Sequence, residues 1–393
     1  MNNVWQRKKV GEIAKHSLGK MLDKAKNKGE PKPYLRNLNV RWFDFDLSDV
    51  LEMRFLPEEK DRYTVIKGDV VICEGGYPGR AAIWERDEPI YFQKALHRVR
   101  FNEPERSKWF LYYLLSKDFD GTLKNHFNGT GIQHFTGEAL AQFEIPLPPL
   151  FEQQRIVRIL DEAFAAITTA RVNTEKNLQN TRALFESYLQ SVFKERGTGW
   201  EDTKLDLVCG FQNGFAFKSS TFKPSGAPIL RISNIQDGRV DTDGLVFFQP
   251  SDYRENLDRY RIVEDDLLIA MSGATTGKLG FNTEKTIFYL NQRVGKFEPS
   301  EKLNKRFLYY FMCTKVKENL RISAGAAQPN LSTEQIKNFM LPLPDAAEQS
   351  RIVNVLDSLL EETKRLETLY YRKLVAFASL KKSLLHQAFS GEL

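Results

Sequence analysis

The sequence predicts a mixed α/β (α+β) chain: two globular modules in tandem pseudo-twofold repeat, separated by an antiparallel coiled coil of two long helices. Three observations predict it. The 393-residue chain resembles itself at an offset of half its length. Two stretches of about 46 residues contain neither glycine nor proline, long enough for helices of ~70 Å. The remaining segments mix short β-type runs with a single amphipathic helical stretch per half.

The repeat is clearest at Phe143–Asp161, which returns 196 positions later as Phe339–Asp357. Both copies read Pro-Leu-Pro, then Glu-Gln-x-Arg-Ile-Val-x-x-Leu-Asp. The same offset relates Leu184, Leu189 and Phe193 to Leu380, Leu385 and Phe389. With small gaps, Trp5 answers Trp200 and Pro33–Val40 answers Pro228–Ile235. Gly68–Ile72 matches Asp265–Ile269, Phe110–Tyr113 matches Phe307–Tyr310, and Gly129–Thr136 matches Gly325–Ser332. A repeat this long is a duplicated domain plus connector. It places one module at 1–147, a helix at 148–196, a second module at 197–343 and a second helix at 344–393.

Within the modules, Val70–Cys73, Leu267–Ala270 and Ile287–Leu290 read as strands. Phe110–Leu115 and Phe307–Met312 read as the amphipathic helix of each module, with their aromatics in the core. The connectors start after prolines, with Asp345 a good N-cap, and are followed by Gly197 and Gly391. Steps of four and three from Ile352 give Leu356, Leu359, Thr363, Leu366, Tyr370, Lys373, Phe377, Leu380 and Leu384, a mostly apolar seam. In the first helix the same steps give Ile156, Leu160, Ala163, Ile167, Ala170, Thr174, Asn177, Thr181, Leu184 and Tyr188, with a polar middle. Two such seams need partners, and the nearest partner of each helix is the other.

Composition narrows function. Net charge is +6, too mild to establish a nucleic-acid partner alone, but residues 1–40 hold ten Lys/Arg against three acids. Cys73, Cys209 and Cys313 are too scattered for a disulfide framework or zinc cluster and suit a reducing compartment. The N-terminus lacks a signal-peptide core, and there is no apolar run of membrane-spanning length. Catalytic motifs fail on inspection. Gly273–Lys278 is one residue short of a P-loop and lacks the hydroxyl after its lysine. Pro344-Asp345 with Glu362 and Lys364 mimics a nuclease pattern, but the latter pair falls inside a long helix and the first half has no matching Asp. The five histidines show neither metal-ligand spacing nor a triad.

Between the matched scaffold segments lie loops that do not match. Glu74–Arg80 faces Met271–Lys278, and Asn128–His134 faces Ala324–Asn330. They combine glycine, for close backbone approach, with side chains that fit base edges or phosphates.

The Leu-Pro…Glu-Gln-x-Arg-Ile-Val…Leu-Asp block at 147–161 and 343–357 resembles the start of the long helices of Type I restriction–modification specificity subunits. The ending Ser383–Leu393 is similar to that family's C-terminal signature, and Pro33–Trp42, Glu74–Trp84 and Ile229–Ile235 resemble its target-recognition motifs. The resemblance covers the whole chain. It implies a non-catalytic, cytoplasmic DNA-binding subunit with two target-recognition domains, each reading one half of a bipartite asymmetric site whose spacer the helices set. It implies two modification (methyltransferase) subunits docked on the helices and restriction subunits joining them. S-adenosylmethionine, ATP and magnesium would reside in those partners, with no cofactor or metal in this chain. Lys20, Lys24, Lys26, Arg36, Lys218 and Arg231 would then contact phosphates. Arg80, Gln133, His134, Thr275, Lys278, Gln328 and Asn330 would discriminate bases, and Tyr77 and Thr276 would also bind DNA.

Overall fold

The computed structural model describes residues 5–23, 25–322 and 330–393. The chain divides into two compact units, residues 1–176 with 370–393, and residues 177–369. The division runs through both long helices, so each unit holds one globular domain and a stretch of each helix.

In the first unit a four-stranded antiparallel sheet has the order Ala14–Leu18, Leu96–Phe101, Val70–Cys73, Ala81–Ile83. All four residues of Val70–Cys73 are buried, as a strand covered on both faces requires. A second four-stranded sheet has the order Leu51–Phe55, Glu30–Leu35, Ile90–Phe92, Thr64–Val65. Its one parallel pair joins Glu30–Leu35 to Ile90–Phe92. A ribbon of Gln6–Lys9 against Glu144–Leu147 closes the domain just before the first long helix.

The second unit repeats the plan. Cys209–Asn213, Val294–Pro299, Leu267–Ala270 and Leu279–Phe281 form the first sheet, here extended by Gly238–Val240 and Ile235–Gln236 to six strands. The second sheet is Val246–Phe248, Ala227–Leu230, Phe288–Leu290, Arg261–Ile262, again with one parallel pair. Its ribbon is Glu201–Lys204 against Met340–Leu343. The duplication reaches single atoms. Gly19 and Gly214 sit where a Cβ would collide with the carbonyl oxygen of Gln93 or Asn291 respectively, so only glycine lets these backbones cross.

The domain helices run Arg106–Phe119 and Lys305–Ile322, and Phe110–Tyr113, Phe307, Leu308 and Tyr310 are buried as expected of core aromatics and aliphatics. The long helices run Leu150–Glu195 and Ala346–Ser390. Asp345 caps the second, its Oδ1 accepting from Glu348 N at 2.8 Å. Gly391 adopts φ 80° after its end, whereas at the end of the first helix the left-handed residue is Arg196 (φ 47°) rather than Gly197.

Within the first unit the helices run antiparallel: Arg155 donates to the carbonyl of Leu393, while further along Lys381 lies over the Phe164 ring. Ile156, Leu160 and Phe164 pack with Leu385, Ala388 and the domain's own Trp109, Tyr112 and Leu115. Within the second unit Arg182 pairs with Glu367 at 2.6 Å, and Leu189 and Phe193 share a core with Ile352, Val353 and Leu356.

Most of the stepped positions face inward, and strict heptad stepping fails at a minority of them. In the second helix Leu360, Glu367, Leu374 and Lys381 turn partly inward while Lys373 and Leu380 are exposed. In the first, Leu178, Phe185 and Leu189 replace the expected Asn177, Leu184 and Tyr188, which are exposed. A straight helix of 3.6 residues per turn drifts about 20° per heptad against a 3.5 repeat, enough to pass the seam to the next residue.

Candidate nucleic-acid interface

In each unit three separate chain segments converge. The first is a tight turn, Arg36–Asn39 or Arg231–Asn234. Asn39 Oδ1 accepts from Arg36 N at 2.8 Å, and its Nδ2 donates to the carbonyls of Asp46 and Asp49 at 2.9 and 3.0 Å. Asn234 repeats this with Arg231 N at 3.0 Å and the carbonyls of Asp241 and Asp243 at 2.9 and 3.1 Å. Both asparagines are fully buried. An amide supplies one acceptor and two donors to a pocket offering the complement, which no other small side chain does. The arginines reach the same flanking loops: Arg36 donates to Asp49 at 2.7 Å and Arg231 to the Gly244 carbonyl at 2.9 Å.

The second segment follows the buried strand. In the first domain Gly76 and Gly79, at φ 79° and 83°, fold the loop back so that Arg80 donates to the Asn37 carbonyl at 3.0 Å. Arg80 also lies over the Tyr77 ring, and Tyr77 donates to Asp118 at 3.1 Å. In the second domain Thr275 donates to the Ile232 carbonyl at 2.9 Å and Lys278 to Gln236 at 2.7 Å. Gly273–Thr275 is a short turn followed by the strand Leu279–Phe281. A P-loop opens a helix there, so its phosphate cradle is excluded.

The third segment is tied to the second by the same backbone bond in both units. Phe135 N donates to the Glu74 carbonyl at 2.8 Å, and Leu331 N to the Met271 carbonyl at 2.9 Å. Asn128 and His134 exchange backbone hydrogen bonds at 2.8 Å, and Asn330 bridges Ser272. His97 fixes this corner from inside: its Nε2 donates to the Phe135 carbonyl at 2.9 Å, and burial pushes its pKa down to about 4. Burial also raises the Glu74 carboxyl above the usual range, against the pull of His134 and Lys94.

The convergence sorts the sequence-predicted residues. Tyr77, Gln133 and Asn330 are exposed, and Arg80, His134, Thr275 and Lys278 are half-buried within the convergent segments. Thr276 is buried, its hydroxyl on the Gly273 carbonyl at 2.6 Å, so it shapes the turn. Lys20, expected at a phosphate, is buried with its ammonium on Glu59 and on the Arg54 carbonyl at 3.0 Å. A desolvated, paired lysine is a structural one. Arg36 and Arg231 likewise brace their turns. Lys26 and Lys218 are exposed, the former 3.6 Å from Asp23 and the latter beginning the turn Ser219–Thr221. Lys24 and Gln328 lie outside the described residues. Asn39 and Asn234, which build the turns, were missed as functional positions although the repeated Arg-x-x-Asn spacing marks them.

Among the described residues no group of His, Cys, Asp and Glu could hold a metal. Burial raises the Cys73 and Cys209 thiols to about 11 and about 12, unreactive values. Glu362, half of the apparent nuclease pattern, pairs with Arg365 on the long helix at 2.9 Å. Among the described residues no helix is long and apolar enough to cross a membrane.

The model of the Type I restriction modification DNA specificity domain matches residues 2–178 and again 197–371. The chain belongs to that family. DNA target recognition is the family's role, and both copies of its domain are present here. Among relatives, the Type I restriction enzyme MjaVIII specificity subunit of Methanocaldococcus jannaschii is 27% identical, over 99% of this chain and 93% of that one. The EcoBI specificity subunit of Escherichia coli is 23% identical over 84% and 75%. In fold the chain matches a protein solved in work on complex assembly and conformational transition of the type I R-M system, with TM-score 0.80 at 20% identity over 100% and 99% of the two chains. The HsdS subunit from Thermoanaerobacter tengcongensis gives TM-score 0.68 at 20% identity over 100% and 98%.

Proposed function

We propose that this specificity-family chain is a non-catalytic reader of a bipartite, asymmetric double-stranded DNA site, each domain taking one half. The observation that carries this is the platform built twice. The same buried asparagine, the same turn and the same backbone bond hold three segments together in both units, while the side chains they present differ. Tyr77, Arg80, Gln133 and His134 populate one; Thr275, Lys278 and Asn330 populate the other. Conserving the frame while changing the donors and acceptors is what two readers of different sequences require. A good bidentate contact is worth about 1–3 kcal/mol of discrimination, so a few such residues per domain suffice. Exposed lysines such as Lys26 and Lys218 add affinity that falls with salt.

The chain then acts by placement. The long helices set the spacer between half-sites and offer surfaces to two modification subunits, with restriction subunits joining the assembly in the cytoplasm. S-adenosylmethionine, ATP and magnesium belong to those partners, and base flipping for methylation is theirs also.

The test is co-expression with the neighbouring modification subunit in a methylation-free host, followed by single-molecule mapping of modified bases. A gapped two-part motif is expected, and exchanging residues 1–147 for another family member's domain should change one half only. Methylation of one continuous motif would restrict reading to a single domain. Soluble, associated proteins that methylate nothing would make the chain a coiled-coil adaptor instead.

A further inference from the structure

Beside its apolar packing, each long helix makes polar contacts at two points near its start. The first is at its start: Gln153 and Gln349, both fully buried, donate to the carbonyls of Pro148 and Pro344 at 2.8 and 2.9 Å. Gln349 also accepts from Asn304 N at 2.8 Å. The second lies eight residues further on. Tyr112, from the helix Arg106–Phe119, donates to Asp161 at 2.7 Å, and Lys108 reaches the other carboxylate oxygen at 2.8 Å. In the second unit Tyr310 donates to Asp357 at 2.5 Å, with Arg306 at 3.1 Å. The pattern is thus a cation, a tyrosine four residues later on the domain helix, and the aspartate that closes the repeated Glu-Gln-x-Arg-Ile-Val-x-x-Leu-Asp block.

Both tyrosines are buried, and burial together with the facing carboxylate pushes their hydroxyls up, so they remain donors. The aspartates are only partly covered. Apolar packing tolerates small tilts, whereas a directional hydrogen bond about 12 Å along the axis from the first polar contact restrains the angle further. The lever is long: from Asp161 to the end of the first helix is about 51 Å, so a 5° pivot moves the far end by about 4 Å, more than the 3.4 Å rise of one base pair.

We propose that Asp161 with Tyr112, and Asp357 with Tyr310, are angular latches: positioning residues that lock each recognition domain onto its helix and so confine the complex to one spacer length. This rests on the two-half-site reading above. The experiment uses the full chain co-expressed with its modification subunit, acting on a library holding both half-sites at spacers from two base pairs shorter to two longer than the native gap. Wild type should methylate one spacer. The double variant Tyr112→Phe/Tyr310→Phe should keep the same half-site bases while methylation at spacers one base pair off rises at least fivefold relative to the native spacer. Asp161→Asn/Asp357→Asn keeps an oxygen for each tyrosine and should retain the wild-type ratio. A spacer ratio unchanged in the phenylalanine variant, or activity lost equally at all spacers, overturns the latch. Should that variant not accumulate in folded form, the single Tyr112→Phe chain is read the same way. A wild type with no gapped motif would instead overturn the two-half-site reading itself.

Discussion

His97 ties the chemistry of one side chain to the shape of the first domain's candidate DNA-binding corner. Its Nε2 holds the Phe135 carbonyl, next to the backbone bond that joins the two candidate loops, while its Nδ1 is buried with no partner. Protonation would put a second N–H where nothing accepts it. Burial, helped by the nearby His16, therefore holds the folded pKa at about 4, below the ordinary 6.5. Because the folded value is the lower one, this stabilisation is whole above about pH 6.5 and is lost as pH falls toward 4, to an extent on the order of 3 kcal/mol. Urea melts between pH 7.5 and 4.5 should show that loss, and His97→Gln, whose amide still donates to Phe135, should remove most of this component. Identical pH slopes for the two proteins would show that the fold does not shift the pKa of His97. Residues of this kind were the least legible in the sequence. Exposed loop polars such as Gln133 and Asn330 announce themselves by composition. Lys20 and Arg36 look the same in the sequence, yet their partners Glu59 and Asp49 lie 39 and 13 positions away, across turns that only the fold brings together. Asn39 and Asn234 were legible in principle, since a buried asparagine bridging three backbone groups leaves an invariant spacing in both halves.

At the scale of elements the sequence was more generous. Glycine- and proline-free length located both long helices to within three residues, and unbroken apolar runs located Val70–Cys73 and Leu267–Ala270, because burial on both faces leaves no alternation to misread. What stepping by heptads missed was the seam's drift, an effect of helix geometry that accumulates with length. The two leucines of the second helix that share the repeat offset with Leu184 and Leu189 separate the readings. Leu385 is 1% exposed among Trp109, Tyr112, Ile156 and Leu160, while Leu380 is 46% exposed. Leu385→Ala should cost about 2–5 kcal/mol by leaving a cavity. Leu380→Ala should stay within about 0.5 kcal/mol. Urea denaturation of the two variants decides it, and a larger loss at Leu380 than at Leu385 would restore the strict heptad register.

For the whole molecule the decisive signal was the duplication, legible because both copies must satisfy the same backbone geometry while the reading loops are free to diverge. The fold follows from that repeat; the spacer does not, since on the proposed reading it would depend on helix length. This makes length the quantity to change. Seven residues inserted after Lys176 of the first helix and seven after Leu369 of the second add about 10.5 Å to each, close to the rise of three base pairs. Seven residues also return the seam nearly to its own phase, so the helices can still pair. Both helices must be lengthened together, because an antiparallel pair with one insertion would loop out the excess. Three extra base pairs turn the far half-site by about 100°, so modification should be slower than in wild type. The mapped motif should nevertheless keep both halves and gain a spacer about three base pairs longer. An unchanged spacer would mean that the distance between half-sites is set by the partner subunits, and that the helices serve only to dock them.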